Sequence, residues 1–315
     1  SLSKNQTGFV IFNQTCFYGE AGGQVGDIGK IIGENGEGDV TDTKRIGSIF
    51  IHLVTIKKGS ITVGEKIEQI VDKIFRQRVR RNHSSTHLVH ESLRQLLGSH
   101  VSQKGSLNNS ERLRFDFSHD MPVTTDQIFA IEQLANRYVR LNSAVVTETM
   151  PLEEAKKTGA RALFGEKYSE DVRVVKLGLE DGKYFSVELC GGLHVRSTGE
   201  IGLVKILGDT ASSSGVRRIE AVTGNRAIQF IEDIQKVNLK SSELLNISPS
   251  KLSDRIESIL SDKKVLEEKI KKLSEDLFSQ NIANSSHKSN KLTPDISFLG
   301  KIVNEVQMKD LRGFI

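Results

Sequence analysis

No stretch of the 315 residues approaches the roughly 20 consecutive apolar residues that a membrane helix needs. No charged, apolar and small-residue sequence opens the chain as a secretory signal would. These absences point to a cytoplasmic protein. Cysteine is scarce as well: Cys16 and Cys190 are the only two, too few and too far apart for a disulfide framework. For either thiol the question is then packing, metal or catalysis, and Cys16, with no partner pattern, reads as packing. Charge of one sign is also missing, since 44 Lys and Arg against 40 Asp and Glu leave +4 and no strongly basic tail. Such a balance permits a nucleic-acid partner without demanding one, because phosphate affinity depends on how cations cluster on the folded surface. What is present, 37% hydrophobic and 27% charged residues, is ordinary for a globular protein of two or three domains.

Along the chain the pattern changes character three times. Residues 1–75 carry short β-type runs, "GFVIF" and "SIFIHLVTI", separated by glycine-rich turns such as "YGEAGGQVGDIG", which fit a small β-barrel or sandwich, the barrel being the architecture expected. Residues 76–225 open on a predicted helix over 76–98, with Val79, Leu88, Leu93, Leu96 and Leu97 as its apolar residues and Gly98 placed to end it. A hairpin around "KGSLNNSERLRFDF", a helix near 124–141 and the runs "DVRVVKLGL", "KYFSVEL" and "GLVKIL" follow, so the class is α+β. Residues 226–283 read as two helices broken at "ISPS", with Ser248 and Pro249 suited to an N-cap and first turn. In the second helix Leu252, Ile256, Ile259, Leu266, Ile270, Leu273 and Leu277 follow a four-three spacing interrupted at Lys263, which suits either an antiparallel hairpin or an intermolecular coiled coil. Residues 284–315 read as a Ser- and Asn-rich linker and, at "DISFLGKIV", the start of a truncated further domain. With no initial Met and an end at Ile315 within a pattern, the chain reads as a fragment of something longer.

The chemistry is concentrated in two pairs. His83 and His87 lie four apart on the predicted helix and project from one face at a spacing that can share a zinc ion. A lone HxxxH pair is weak, but in "ELCGGLHVRSTG" Cys190 and His194 flank a Gly-Gly turn able to bend both toward a common point. Four nitrogen and sulfur donors in two close pairs are a common construction for tetrahedral Zn2+. His90 shares the helical face, yet seven residues place it about 10 Å along the axis from His83, so it belongs to packing or to the shell behind the ligands. His52, His100, His119 and His287 have no ligand-spaced partner and read as structural or surface histidines. A zinc protease would need Glu directly after the first His, where Ser84 stands. The triplet Gly22, Gly23, Gln24, similar to the GGQ of peptide release factors, reads as a turn.

In order and spacing, "RNHSSTHLVHESLRQLLGSHVSQKGS", "LRFDFSH", "ALFGEKY", "ELCGGLH" and "GVRRIEAVTG" resemble the editing domain of alanyl-tRNA synthetases and their freestanding AlaX relatives. "FYGEAGGQVGD" is similar to the segment preceding that domain, and the helices resemble the coiled-coil region following it. The resemblance implies that His83, His87, Cys190 and His194 are zinc ligands and that Thr86 and Gln103 line an editing pocket. It implies hydrolysis of alanine tRNA mischarged with serine or glycine, and association through the coiled coil. Bacterial threonyl-tRNA synthetases carry a related domain, but the "QKGS" segment and the flanking regions favour alanine. The chain departs from the pattern at Leu193, where the family usually has Thr. Arg76, Arg78, Arg80, Arg81, Lys104, Arg217 and Arg218 are candidate phosphate contacts. The competing expectations are a non-catalytic tRNA-binding module that zinc merely staples together and a freestanding deacylase of the AlaX type.

Overall fold

The computed structural model describes residues 1–161, 170–283, 290–294 and 296–298. The motif "ALFGEKY" at 162–168, His287 and the end of "DISFLGKIV" lie outside the described residues. Two compact units divide the chain, Ser1–Glu232 and Asp233–Ile315.

The first unit begins with six antiparallel strands: β1 (Leu2–Ser3), β2 (Thr7–Val10), β3 (Gly29–Ile32), β4 (Gly36–Ile46), β5 (Ile49–Ile61) and β6 (Glu68–Val71). Their order is β1-β5-β4-β3-β6, with β2 also on β5. Alternation in β5 turns Val54 and Ile56 onto Phe17, Ile31 and Val40, a small core of its own. The expected β-barrel is corrected here, for β6 pairs only with β3 and the sheet stays open. A physical reason lies at Gln69 on β6. Its Oε1 accepts from Cys16 N and Thr15 Oγ1 at 3.0 Å, and its Nε2 donates to Gln14 O at 2.9 Å. An irregular loop, not a strand, is thereby fastened where closure would need backbone pairing.

Next comes α1 (Lys73–Leu97), which Asp72 caps by accepting from Ile74 N and Phe75 N at 2.9 Å. Gly98, with φ 123°, ends it as the sequence predicts. Every residue from Asn82 to Leu93 is buried, although seven of the first nine are polar or ionisable. Their hydrogen bonds make this tolerable: Ser85 Oγ donates to Arg81 O at 2.7 Å, and Asn82 joins Asn109 O and Thr223 Oγ1. The helix is buried all round because it packs on both remaining sheets of the unit. One is the antiparallel sheet β12-β13-β8-β7, made of β7 (Gln103–Asn108), β8 (Leu113–Ser118), β12 (Val204–Ser213) and β13 (Val216–Thr223). The other is β11-β10-β9, made of β9 (Val146–Pro151), β10 (Asp171–Glu180) and β11 (Lys183–Leu189). Between β8 and β9 runs α2 (Thr125–Arg140), with a capping box between Thr124 and Gln127. A short α3 (Leu152–Lys157) follows β9. Leu88, Leu93, Phe115, Phe117, Ile131, Leu177 and Ile219 form the main core.

The boundary between the units falls within α4 (Gly224–Leu244). In the second unit Ser248 precedes a short 3-10 turn at Pro249–Lys251 and then α5 (Leu252–Ala283). On α5 the residues Leu266, Ile270, Leu273 and Leu277 are each more than half exposed. Ile296–Phe298 forms the strand that "DISF" predicts, paired with Asn290–Thr293. No helix among the described residues is long and apolar enough to cross a membrane.

Candidate metal centre

The middle of α1 and the turn after β11 bring the two sequence pairs together. One donor atom from each of His83, His87, Cys190 and His194 lies within 4.8 Å of every other. Cys190 Sγ is 3.3 Å from His83 Nε2 and 3.4 Å from His194 Nε2. In a tetrahedral zinc site with bonds of about 2.0 Å to nitrogen and 2.3 Å to sulfur, neighbouring donors stand about 3.5 Å apart, so the spacing fits. Gly192 makes this convergence possible, since a Cβ there would lie 2.0 Å from His83 Cε1.

Each imidazole is oriented through its other nitrogen. His83 Nδ1 meets Gln24 Oε1 at 2.7 Å, His87 Nδ1 meets Glu188 Oε2 at 2.7 Å, and His194 Nδ1 meets Ser84 Oγ at 3.1 Å. Three Nε2 atoms are thus left for the common point, and that of His87 is buried without a partner. An orphaned buried nitrogen beside a thiol and two further imidazoles suits a borderline-soft cation such as zinc.

Electrostatics agree. Burial by itself would raise the Cys190 thiol, but the imidazoles of His83, His194 and His87 hold it well below the ordinary thiol range. Burial would lower His87, yet the charges of Glu188 and Cys190 outweigh it and push the imidazole up to about 10. His194, for which burial dominates, is driven down to about 3. Glu188 resists its own burial because His90 and His87 keep it well below the usual carboxylate range. The site therefore holds a thiolate ready for a metal.

The histidine behind the ligands behaves as its axial distance predicts: His90 Nδ1 lies 3.0 Å from Glu188 Oε1 and its ring packs on Phe115. Glu188 itself escaped the sequence reading. A signal was available, since Ser186, Glu188 and Cys190 alternate onto one face at the end of β11. Gln24, which the sequence assigns only to a turn, is 1% exposed and bonded to His83. His52 is structural, its ring tilted against Phe12 and edge-on to Phe17, and it is bonded to Thr15 and Val10. His100 and His119 meet each other at 2.9 Å across the β8 end of the unit, a pairing that their sequence separation hides.

Over the cluster opens a cleft of about 270 Å³, lined by Thr86 and Gln103 together with Tyr18, Arg45 and Arg173. Thr86 Oγ1 donates to Asn108 Oδ1 at 2.6 Å or Asn82 O at 3.0 Å, so its one proton is committed. Burial and the neighbouring Cys190 push the Tyr18 phenol up to about 12. Four of the expected phosphate contacts are instead held in ion pairs, Arg76 with Asp27, Arg78 with Glu111, Arg217 with Asp209, and Arg218 with Asp116. Arg78 and Lys104 remain exposed.

Two family descriptions match this chain. Residues 1–75 match the class II (A) tRNA synthetases, and residues 172–220, which contain Cys190 and His194, match the second additional domain of threonyl and alanyl tRNA synthetases. The alanine–tRNA ligase of Sinorhizobium medicae is 43% identical over 99% of this chain and 36% of its own length. That of Ruegeria sp. is 43% identical over 97% of the chain and 35% of its own length, and that of Mesorhizobium japonicum 42% over 99% and 36%. The chain spans a little over a third of the length of these relatives, and along nearly all of that span it belongs to the alanine–tRNA ligase family.

Proposed function

We propose that this chain carries out the editing reaction of an alanine–tRNA ligase, hydrolysing the ester of alanine tRNA mischarged with serine or glycine. The observation that carries the reading is the cluster of four donors, each histidine fixed through its Nδ1, at the floor of a small cleft. His83, His87, Cys190 and His194 would hold the zinc. When bound, it supplies Lewis-acid polarisation to the ester or to a water. The need for such a site follows from size: an activating pocket for alanine cannot exclude glycine and discriminates weakly against serine's extra hydroxyl. A second, hydrolytic site is the remedy.

Within the cleft Thr86 can face substrate only as an acceptor, because its proton is committed to Asn108 or Asn82. A seryl hydroxyl would donate to it, with the Gln103 amide as a further partner. An alanyl ester offers no such proton and leaves both groups unpaired, and since a glycyl ester lacks the proton too, its hydrolysis ahead of the alanyl ester would rest on its smaller size in the cleft. The cleft volume is at or below the roughly 300–1,000 Å³ of sites for drug-sized ligands, which suits a small aminoacyl group. On this reading the chain comprises an amino-terminal domain over 1–75, the editing domain over 76–225, a helical region over 226–283 whose exposed seam joins copies, and a last segment from 284. Alanine tRNA is its partner and the cytoplasm its compartment.

Four protein ligands would complete a tetrahedron, and this favours one competing reading, a tRNA-binding module that zinc only staples. The deciding experiment follows release of serine, glycine and alanine from the corresponding esters of alanine tRNA. Seryl and glycyl esters should be hydrolysed and the alanyl ester spared, Cys190→Ala should abolish turnover, and Gln103→Ala should mainly change selectivity. A zinc-loaded chain that binds alanine tRNA yet leaves the seryl ester at its uncatalysed rate establishes the stapled module instead.

A further inference from the structure

The glycine-rich turn of the amino-terminal sheet reaches into the metal centre. Ala21 and Gln24 exchange backbone hydrogen bonds of 3.2 and 3.0 Å around Gly22 and Gly23, whose φ angles of 58° and 80° suit a type I′ turn. The turn is docked on the end of β7, where Asn108 N donates to Gly23 O at 2.7 Å and Val25 N donates to Asn108 O at 3.1 Å. Only glycine allows so close an approach, since a Cβ at Gly23 would lie 2.5 Å from Ser106 O. From this anchored turn the Gln24 side chain enters the cluster.

Its terminal oxygen takes two donors. Oε1 lies 2.8 Å from Leu193 N and 2.7 Å from His83 Nδ1. Because the Leu193 amide can only donate, the Gln24 atom facing it is the carbonyl oxygen. An amide oxygen only accepts, so His83 must carry its proton on Nδ1. The lone pair is then on Nε2, the atom 3.3 Å from Cys190 Sγ.

We propose that Gln24 is a positioning residue of the metal centre, selecting the His83 tautomer that can ligate and pinning Leu193, the residue directly before His194. The Gly22-Gly23 turn has the task of presenting that oxygen. Residues of the first sheet therefore complete a metal site whose ligands all come from later in the chain. The inference rests on the zinc assignment and not on the hydrolytic step.

The test measures zinc affinity of the full chain by competition with a chromophoric chelator, alongside circular dichroism of the zinc-loaded protein. Gln24→Leu, similar in size but without an acceptor, should bind zinc about 10- to 100-fold more weakly. Gln24→Glu keeps an accepting oxygen for both donors and should bind at least as tightly as the parent chain. An unchanged affinity in Gln24→Leu overturns the proposal. So does a tenfold loss in Gln24→Glu, a result readable even if the leucine variant fails to fold. A chain that never hydrolyses an ester leaves these expectations intact, so failure here and failure of the editing reading are separate results.

Discussion

His87 and His194 have ring centroids 5.1 Å apart and are both buried, yet their surroundings drive them in opposite directions. The difference is the partner on Nδ1, a carboxylate for His87 and a hydroxyl for His194. Without metal this has a consequence for stability. His194 has a folded value near 3 against 6.5 for an unperturbed imidazole, so between those limits the unfolded chain binds a proton that the folded chain refuses. The contribution is present above pH 6.5 and is lost as pH falls toward 3. Glu188, held low, adds loss of the same sign below about 4.5. Above 6.5, raised His87 and lowered Cys190 act with opposite signs, because one keeps a proton and the other gives one up. Acidification of the zinc-free protein from pH 6.5 to 5 should therefore cost on the order of 1 kcal/mol, less than the roughly 1.4 kcal/mol per unit would give, because the unfolded imidazoles are half protonated at pH 6.5 and raised His87 opposes the loss. Urea unfolding in the presence of chelator measures it, and stability that stays flat or rises on acidification contradicts the assignment of these environments.

At the scale of elements, the legible features were those that local chemistry decides. Gly98 ends α1 and the period of two marks β10 and β11, because a cap and alternation act within a few residues, whereas α1 begins at Lys73 behind the Asp72 cap, three residues before the predicted start at 76. The barrel was not legible, since closure depends on which edge meets which, and at β6 a single glutamine side chain decided it. Helix α5 was legible as a helix, but the fate of its seam lies beyond local pattern. Ile256, Leu260, Leu266, Ile270, Leu273 and Leu277 are all exposed, an apolar stripe that a second helix would cover. Association through this stripe predicts a larger particle for the full chain than for one ending near residue 240, beyond the mass of the deleted segment. Light scattering at matched molar concentration compares them, and the same number of chains per particle in both would remove α5 from the interface.

For the whole molecule, the cluster of four donors could be read from two spaced pairs because an HxxxH on a helix and a thiol-imidazole pair about a Gly-Gly turn carry their geometry with them. What supports those ligands could not, since Gln24, Ser84 and Glu188 come from three places that meet only in the folded unit. This distribution makes the metal centre a junction. It ties the amino-terminal loop, whose Phe17 belongs to the core of the first sheet, to α1 and β11, which share the main core. Structural zinc in small sites contributes on the order of 10 kcal/mol of apparent binding energy, and losing even part of it matters to a junction of three elements. At roughly 2–4 °C per kcal/mol for a unit of about this size, chelation should lower the melting of Ser1–Glu232 by about 10 °C or more. All four donors of the cluster and their three partners lie inside that unit, so the melting of the helix α5 should hold its temperature. Calorimetry with and without chelator, with zinc content assayed in parallel, separates the two. Coincident traces from metal-loaded and metal-free protein would mean that the cluster holds nothing together, and that the cleft was organised before any metal arrived.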